Sequence, residues 1–132
     1  MPLIGFTEFK GMIEDGTKRQ TIRALRKHPI KINDVLYLYW KLRTKQCEFL
    51  RKELCIQEFT ITMQFYDGEF PFWYVSAYLK KPENGSITKL TDWKIEELAK
   101  KDGFNNALEM MRWFAKKHGE LNGNKKFQVI RW

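Results

Sequence analysis

Apolar residues recur along this chain at two different periods, and the change of period divides it into elements. Phe6, Phe9 and Ile13 follow at helical spacing around Thr7, so residues 7–15 read as a short helix with Thr7 as its N-cap. Gly16 is its stop, because glycine takes positive φ freely. The segment Gly16-Thr17-Lys18-Arg19-Gln20-Thr21-Ile22-Arg23 then enters an extended run. Alternation puts Thr21 and Arg23 on one face and Ile22 on the other, the layout of a strand that lines a site with one face and a core with the other. Residues 24–32 lack periodicity, and His28-Pro29 biases residue 28 away from helix, which makes this a loop. Lys31-Ile32-Asn33-Asp34 reads as a turn, and Val35–Trp40 as a strand apolar on both faces and so central in a sheet or barrel. A basic turn at 41–45 leads to a long β region, 49–65, whose length implies a bend. Asp67-Gly68 is a turn, residues 70–79 form an aromatic strand with Pro71 at its start or edge, and 80–86 form a loop.

The pattern then turns helical. A helix opens at Thr91 or Asp92 with Ile95, Leu98 and Ala99 on one face, and Gly103 stops it after Asp102. Asn105 or Asn106 caps a second, in which Ala107, Leu108, Met111, Phe114 and Ala115 make one stripe and Gly119 is the stop. Residues 126–132 are a closing strand, and Trp93, Trp113 and Trp132 are expected in the core. Helix, strands, two helices and a final strand describe one mixed α+β domain over residues 1–132 with a curled sheet.

Charge adds a location to that outline. The net charge is +8, and from Gly16 to Asn33 there are six basic residues (Lys18, Arg19, Arg23, Arg26, Lys27 and Lys31) with no acid. Such a block beside a cleft raises the local concentration of anions, and Tyr37, Tyr39 and Trp40 close behind it offer rings on which bases stack, so nucleic acid is the favoured partner over a plain solvated face. Cys47 and Cys55 share one parity on an extended segment, too far apart for a disulfide, and read as buried free thiols. With His28 and His118 they have no zinc spacing, so neither a metal nor another cofactor is expected. No signal peptide and no apolar run near membrane length is found, which implies a soluble cytoplasmic protein without membrane partners.

Four stretches in order carry a resemblance. They are Gly16-x-Lys18-x-x-Thr21-x-Arg23, the turn before Val35, Leu98-Ala99-x-x-Asp102-Gly103-Phe104, and Phe127-Gln128-Val129-Ile130-Arg131-Trp132. Together they resemble the ASCH family, small PUA-like domains associated with RNA and modified nucleosides. The resemblance implies a PUA-like curled β-barrel with flanking helices, binding RNA or a nucleotide in a cleft. Many members have glutamate where Thr21 stands; threonine there resembles the small members that deacetylate acetylcytidine. Asn33-Asp34 replaces the frequent Gly-Asp turn, which asparagine's tolerance of left-handed φ allows. The region 57–89 is longer and more aromatic than in the smallest members. On the deacetylating pattern, Lys18 takes a proton, Thr21 attacks an amide carbonyl and Asp102 orients or charges the lysine, while Arg23 holds a base edge or phosphate. Arg19, Arg26, Lys27 and Lys31 are the remaining nucleic-acid-binding candidates. Two functions follow, RNA or nucleotide binding and, as the alternative, amide hydrolysis of an acylated cytidine. A partner-binding adaptor using the aromatic segment 70–78 is a third.

Overall fold

The computed structural model describes residues 2–78 and 87–132, and the expected loop at 80–86 lies outside the described residues, as does Leu79 of the aromatic strand. The described residues form an α+β fold of eight strands in two sheets and three helices. In the smaller sheet β1 (Leu3–Phe6) runs parallel to β3 (Val35–Trp40), which pairs antiparallel with β4 (Glu48–Leu54). The larger is wholly antiparallel, with β2 (Gln20–Ala24) at one edge, then β8 (Asn122–Arg131), β5 (Gln57–Tyr66), β6 (Phe72–Tyr78) and β7 (Ile87–Lys89). Among the described residues no pairing joins the two sheets into a closed barrel. The expected central position of Val35–Trp40 holds within the smaller sheet.

The expected bend in the long β region falls at Cys55-Ile56, where the chain changes sheets. Cys55 N–H donates to the Asp34 carbonyl at 2.9 Å on the side of the smaller sheet, and Ile56 N–H donates to the Arg131 carbonyl at 2.9 Å on the side of the larger. β8 explains why Phe127, Gln128, Val129 and Ile130 are buried in succession. Phe127 and Val129 pack toward α2 (Asp92–Lys101) and α3 (Ala107–His118), while Ile130 packs with Ile4, Leu36 and Leu38 of the smaller sheet. A strand covered on both faces has no polar side to alternate with. Gln128, the polar member of the run, has its amide used on both sides: Nε2 donates to the Ile30 carbonyl at 2.7 Å and Oε1 accepts from Ile30 N–H at 3.2 Å.

α2 and α3 lie where their stripes predict. Asn106 Oδ1 accepts from Glu109 N–H at 2.8 Å, and Gly119 follows His118 with φ 84°. Met110, outside the expected stripe, is fully buried beside Met111 and Phe114. Three expectations are corrected, and two strands were not foreseen. The first helix, α1, covers only Lys10–Glu14 and Thr7 does not cap it, because the preceding residues are drawn into the unpredicted strand β1 by pairing with β3. β7 was not expected either. Cys55 is buried but Cys47 is exposed, since β4 begins only at Glu48; both thiols are free. Trp93 is 64% exposed, because α2 turns Ile95, Leu98 and Ala99 to the core instead. Among the described residues no helix is long and apolar enough to cross a membrane.

Candidate functional site

Edge strand β2 forms one wall of a cleft of about 330 Å³. The β1–α1 connection forms a second wall with Phe6 and Phe9, and the end of α2 with α3 a third, through Asp102, Phe104 and Trp113. Local sequence sets up the approach to β2. Gly16 takes φ 82° after α1, and Lys18 N–H then bonds to the Met12 carbonyl at 2.9 Å, which turns the chain back and sends the Lys18 side chain inward.

Lys18 is 3% and Asp102 4% exposed. The Lys18 ammonium donates to the Asp102 backbone carbonyl and lies 3.4 Å from its Oδ2. Gln20 Nε2 donates to Asp102 Oδ1 at 3.2 Å and to the Leu98 carbonyl at 3.0 Å, while its Oε1 accepts from Arg131 Nε at 2.9 Å. The carboxylate is therefore held from two sides at the end of α2. Burial pushes Lys18 below the usual lysine range and Asp102 above the usual carboxylate range, because both charged forms lose their hydration; their mutual attraction opposes both shifts. Arg23 lowers Lys18 further.

Thr21 Oγ1 accepts from Arg23 Nε at 2.9 Å, so its proton remains free to be given away. Burial pushes the Arg23 guanidinium down to about 10, which leaves it charged at neutral pH. Its carbon stands 4.7 Å from the Phe6 ring centre, and its two Nη groups have no partner among the described residues. The Lys18 ammonium lies 5.1 Å from the Phe9 ring centre. Phe9 itself takes φ 63°, unusual for an aromatic residue, and a Cβ on Gly103 (φ 106°) would come within 2.9 Å of its ring. Gly103 thus lets the β1–α1 connection close against the end of α2 beside Asp102.

The backbone of β2 contributes as well. Trp132 N–H bonds to the Arg19 carbonyl and Leu25 N–H to the Lys126 carbonyl, so in this antiparallel pair Arg19, Thr21, Arg23 and Leu25 turn their backbone groups toward β8. The amide and carbonyl groups of Ile22 and Ala24 accordingly point to the free edge, and both residues line the cleft.

Of the residues expected at the site, the fold gathers Lys18, Thr21, Arg23, Arg26 and Asp102 around one cleft. It does not bring Arg19, Lys27 or Lys31 there: Arg19 is exposed and its Nε donates to the Trp132 carbonyl at 2.9 Å, and Lys27 and Lys31 are exposed on the loop after β2. Arg26 is half tied down, donating to the Leu3 carbonyl at 2.9 Å. Sequence reasoning missed Gln20, although its signal was present: a polar residue sharing the core-facing parity of Ile22 needs a buried partner. Phe9 and the β2 edge left no local signal. Among the described residues no group of three or more His, Cys, Asp or Glu side chains is placed to hold a metal ion. His118, at the rim, is pushed down by burial and by Lys125 and Lys117. Compared with known proteins, the chain matches no family model, no curated protein and no solved structure.

Proposed function

We propose that the cleft takes a single nucleoside and removes an acyl group from the exocyclic amine of its base, as an amidohydrolase of acylated cytidine. The observation that carries this is the burial of the Lys18–Asp102 pair in the same cleft as the Thr21 hydroxyl and the Arg23 guanidinium, whose Nη groups have no hydrogen-bond partner among the described residues. A buried ion pair is a poor stabiliser, since apolar residues of the same volume often do better, so its presence at a cleft wall argues for chemistry. A cleft of about 330 Å³ suits one nucleoside and excludes a duplex. The donor and acceptor groups of Ile22 and Ala24 suit the planar edge of a base, with Phe6, Phe9 and Trp113 around its ring.

Lys18 in its neutral form takes the Thr21 proton as Oγ1 bonds to the acyl carbon. Arg23 stabilises the charge that develops on the carbonyl oxygen. The carbon–nitrogen bond breaks and the proton passes from Lys18 to the departing amine. Water then adds to the acyl-threonine, giving its proton to Lys18; the bond to Oγ1 breaks, Thr21 regains a proton, and a carboxylic acid leaves. Asp102 keeps Lys18 in place, and Gln20 keeps Asp102 in place. The fold reading that accompanies this is a PUA-like barrel of ASCH type, supported by the two sheets meeting at the Cys55-Ile56 corner. Two free thiols suit a reducing compartment, which for this reading is the cytoplasm.

Incubation with acetylcytidine, followed by chromatography, tests the proposal. The parent should release cytidine, and Thr21→Ala should lose roughly three orders of magnitude in kcat/KM, because members of a catalytic unit do not act additively. A Thr21→Ala protein turning over at the parent rate sinks it. A second reading, a site that binds an RNA nucleotide without chemistry, is favoured by Arg26 at the cleft and Lys27 exposed next to it. Tight binding of cytidine monophosphate with no turnover of acetylcytidine would select that reading.

A further inference from the structure

Through β5 and β6 of the larger sheet, α2 and α3 pack on the face of Ile61, Met63, Phe65, Val75 and Ala77, and among the described residues no helix covers the other face. The cross-strand register puts Thr60, Thr62, Gln64 and Tyr66 of β5 on the other face, beside Tyr78, Ser76, Tyr74 and Phe72 of β6. Lys89 joins that face opposite Ser76, and Lys126 of β8 opposite Thr62. Tyr66, Phe72 and Tyr74 are 48%, 50% and 41% exposed. Tyr66 and Phe72 stack at 4.6 Å, and Phe72 meets Tyr74 edge-on at 6.0 Å, so the rings form one continuous strip. The Lys89 ammonium lies 4.2 Å from the Tyr74 ring centre and that of Lys126 5.2 Å from Tyr78. None of these face positions is acidic.

We propose that this face is a platform for single-stranded RNA, separate from the cleft. A strip of exposed rings is costly in water and repays that cost when flat groups stack on it. Lysines beside the rings, with Glu58 as the acid at the far end of the same β5 row held by Gln128 Nε2 at 3.0 Å, select a partner with negative charge between its flat groups, which is the chemistry of a nucleic-acid single strand. Duplex bases are stacked on each other and offer no free faces to rings. Thr62, Gln64 and Ser76, lying between the aromatic and basic positions, can exchange hydrogen bonds with the ribose 2′-hydroxyl, which DNA lacks. An acidic protein partner would satisfy the lysines and leave the ring faces without stacking partners.

The test is fluorescence anisotropy of a short labelled oligouridylate with the parent, a Phe72→Ser/Tyr74→Ser variant and a Lys89→Ala/Lys126→Ala variant. Because the altered side chains are exposed, the variants should keep the parent's circular dichroism and melting curve. Losing the rings should weaken binding by about tenfold or more. Losing the lysines should lower the slope of log affinity against log salt by about 1.4, two phosphate contacts' worth for a single strand. A duplex of the same length and a deoxythymidylate strand should bind more weakly than oligouridylate. Parent protein that does not bind, variants that bind as the parent does, or DNA binding as tightly as RNA would each overturn the proposal. So would self-association of the parent that Phe72→Ser/Tyr74→Ser abolishes, since the face would then belong to a second copy. None of these readouts depends on turnover in the cleft.

Discussion

Lys18 and Lys27 carry the same charge on the same acid-free segment, residues 16–33, but the Lys18 ammonium is enclosed against Asp102 whereas Lys27 stands in water. Removing a charge from water costs several kcal/mol, and the attraction of one partner rarely returns more than it costs. Lys27 pays no such penalty and does little beyond adding to the local potential. The difference teaches that the charge count of the segment is a poor guide to where its chemistry lies. What matters is which cation the fold makes expensive.

The largest break in that comparison comes from truncation. Lys18→Ala should destabilise the protein by about 3–5 kcal/mol, because Asp102 is left buried without its cation. Lys27→Ala should leave the denaturant midpoint where it was. In Lys18→Met/Asp102→Leu, stability should return to the parent's level or above it while acetylcytidine turnover stays absent, separating the function of the pair from its support of the fold. If Lys18→Ala and Lys27→Ala unfold at the same midpoint, the burial of Lys18 carries no energetic weight.

Titration sharpens the same contrast on a smaller scale. Burial and Arg23 lower Lys18 from 10.5, and Asp102 is the group that holds it up. Asp102→Asn should therefore move the Lys18 titration to lower pH, as read from the side-chain carbon shift in NMR. For stability the sign follows from proton counts. Between the folded pKa of Lys18 and 10.5 the unfolded chain holds more protons, so this group makes stability rise with pH across that window. Asp102, raised from 3.8, does the opposite at the acid end: the folded state holds more protons, and stability falls as pH rises through its window. A Lys18 titration at or above 10.5, or one unmoved in Asp102→Asn, would break the argument.

The smallest effect belongs to the exposed cations. Lys27→Ala/Lys31→Ala should slow association of cytidine monophosphate by a few-fold at low salt and leave it unchanged at high salt, since exposed charges act through a field that ions screen. An effect that persists at high salt would mean that the loop folds onto the ligand.

Much of the fold could be read locally. Val35–Trp40, α2 and α3 announce themselves by an unbroken apolar run after a turn, stripes, Asn106 and the glycines at 103 and 119. β1 did not, because Leu3–Phe6 becomes a strand only through β3, and Phe6 fits the helical stripe of Phe9 and Ile13 as well. Trp93 illustrates the limit of composition: a tryptophan invites burial, but its place on α2 is set by Ile95, Leu98 and Ala99. At the cleft, Thr21 and Arg23 were visible from alternation. The meeting of Lys18 with Asp102 was not, because only tertiary structure brings the end of α2 to the residues after α1; it was the family resemblance that named them together. Gln20, which links Asp102 to Arg131, went unnoticed between more conspicuous neighbours.

The pairing of β2 with β8 has a consequence for synthesis of the chain. Gln20 faces Arg131 and Ala24 faces Phe127, so the strand that presents Thr21 and Arg23 has no partner until nearly all the described residues have left the ribosome. Until then Ile22 has no Val129 opposite it to pack against. Pairings this distant close slowly, and an unpaired β2 is in the meantime an exposed edge open to other chains. The acid-free segment that follows, with its exposed Lys27 and Lys31, keeps like-charged nascent chains apart during that interval.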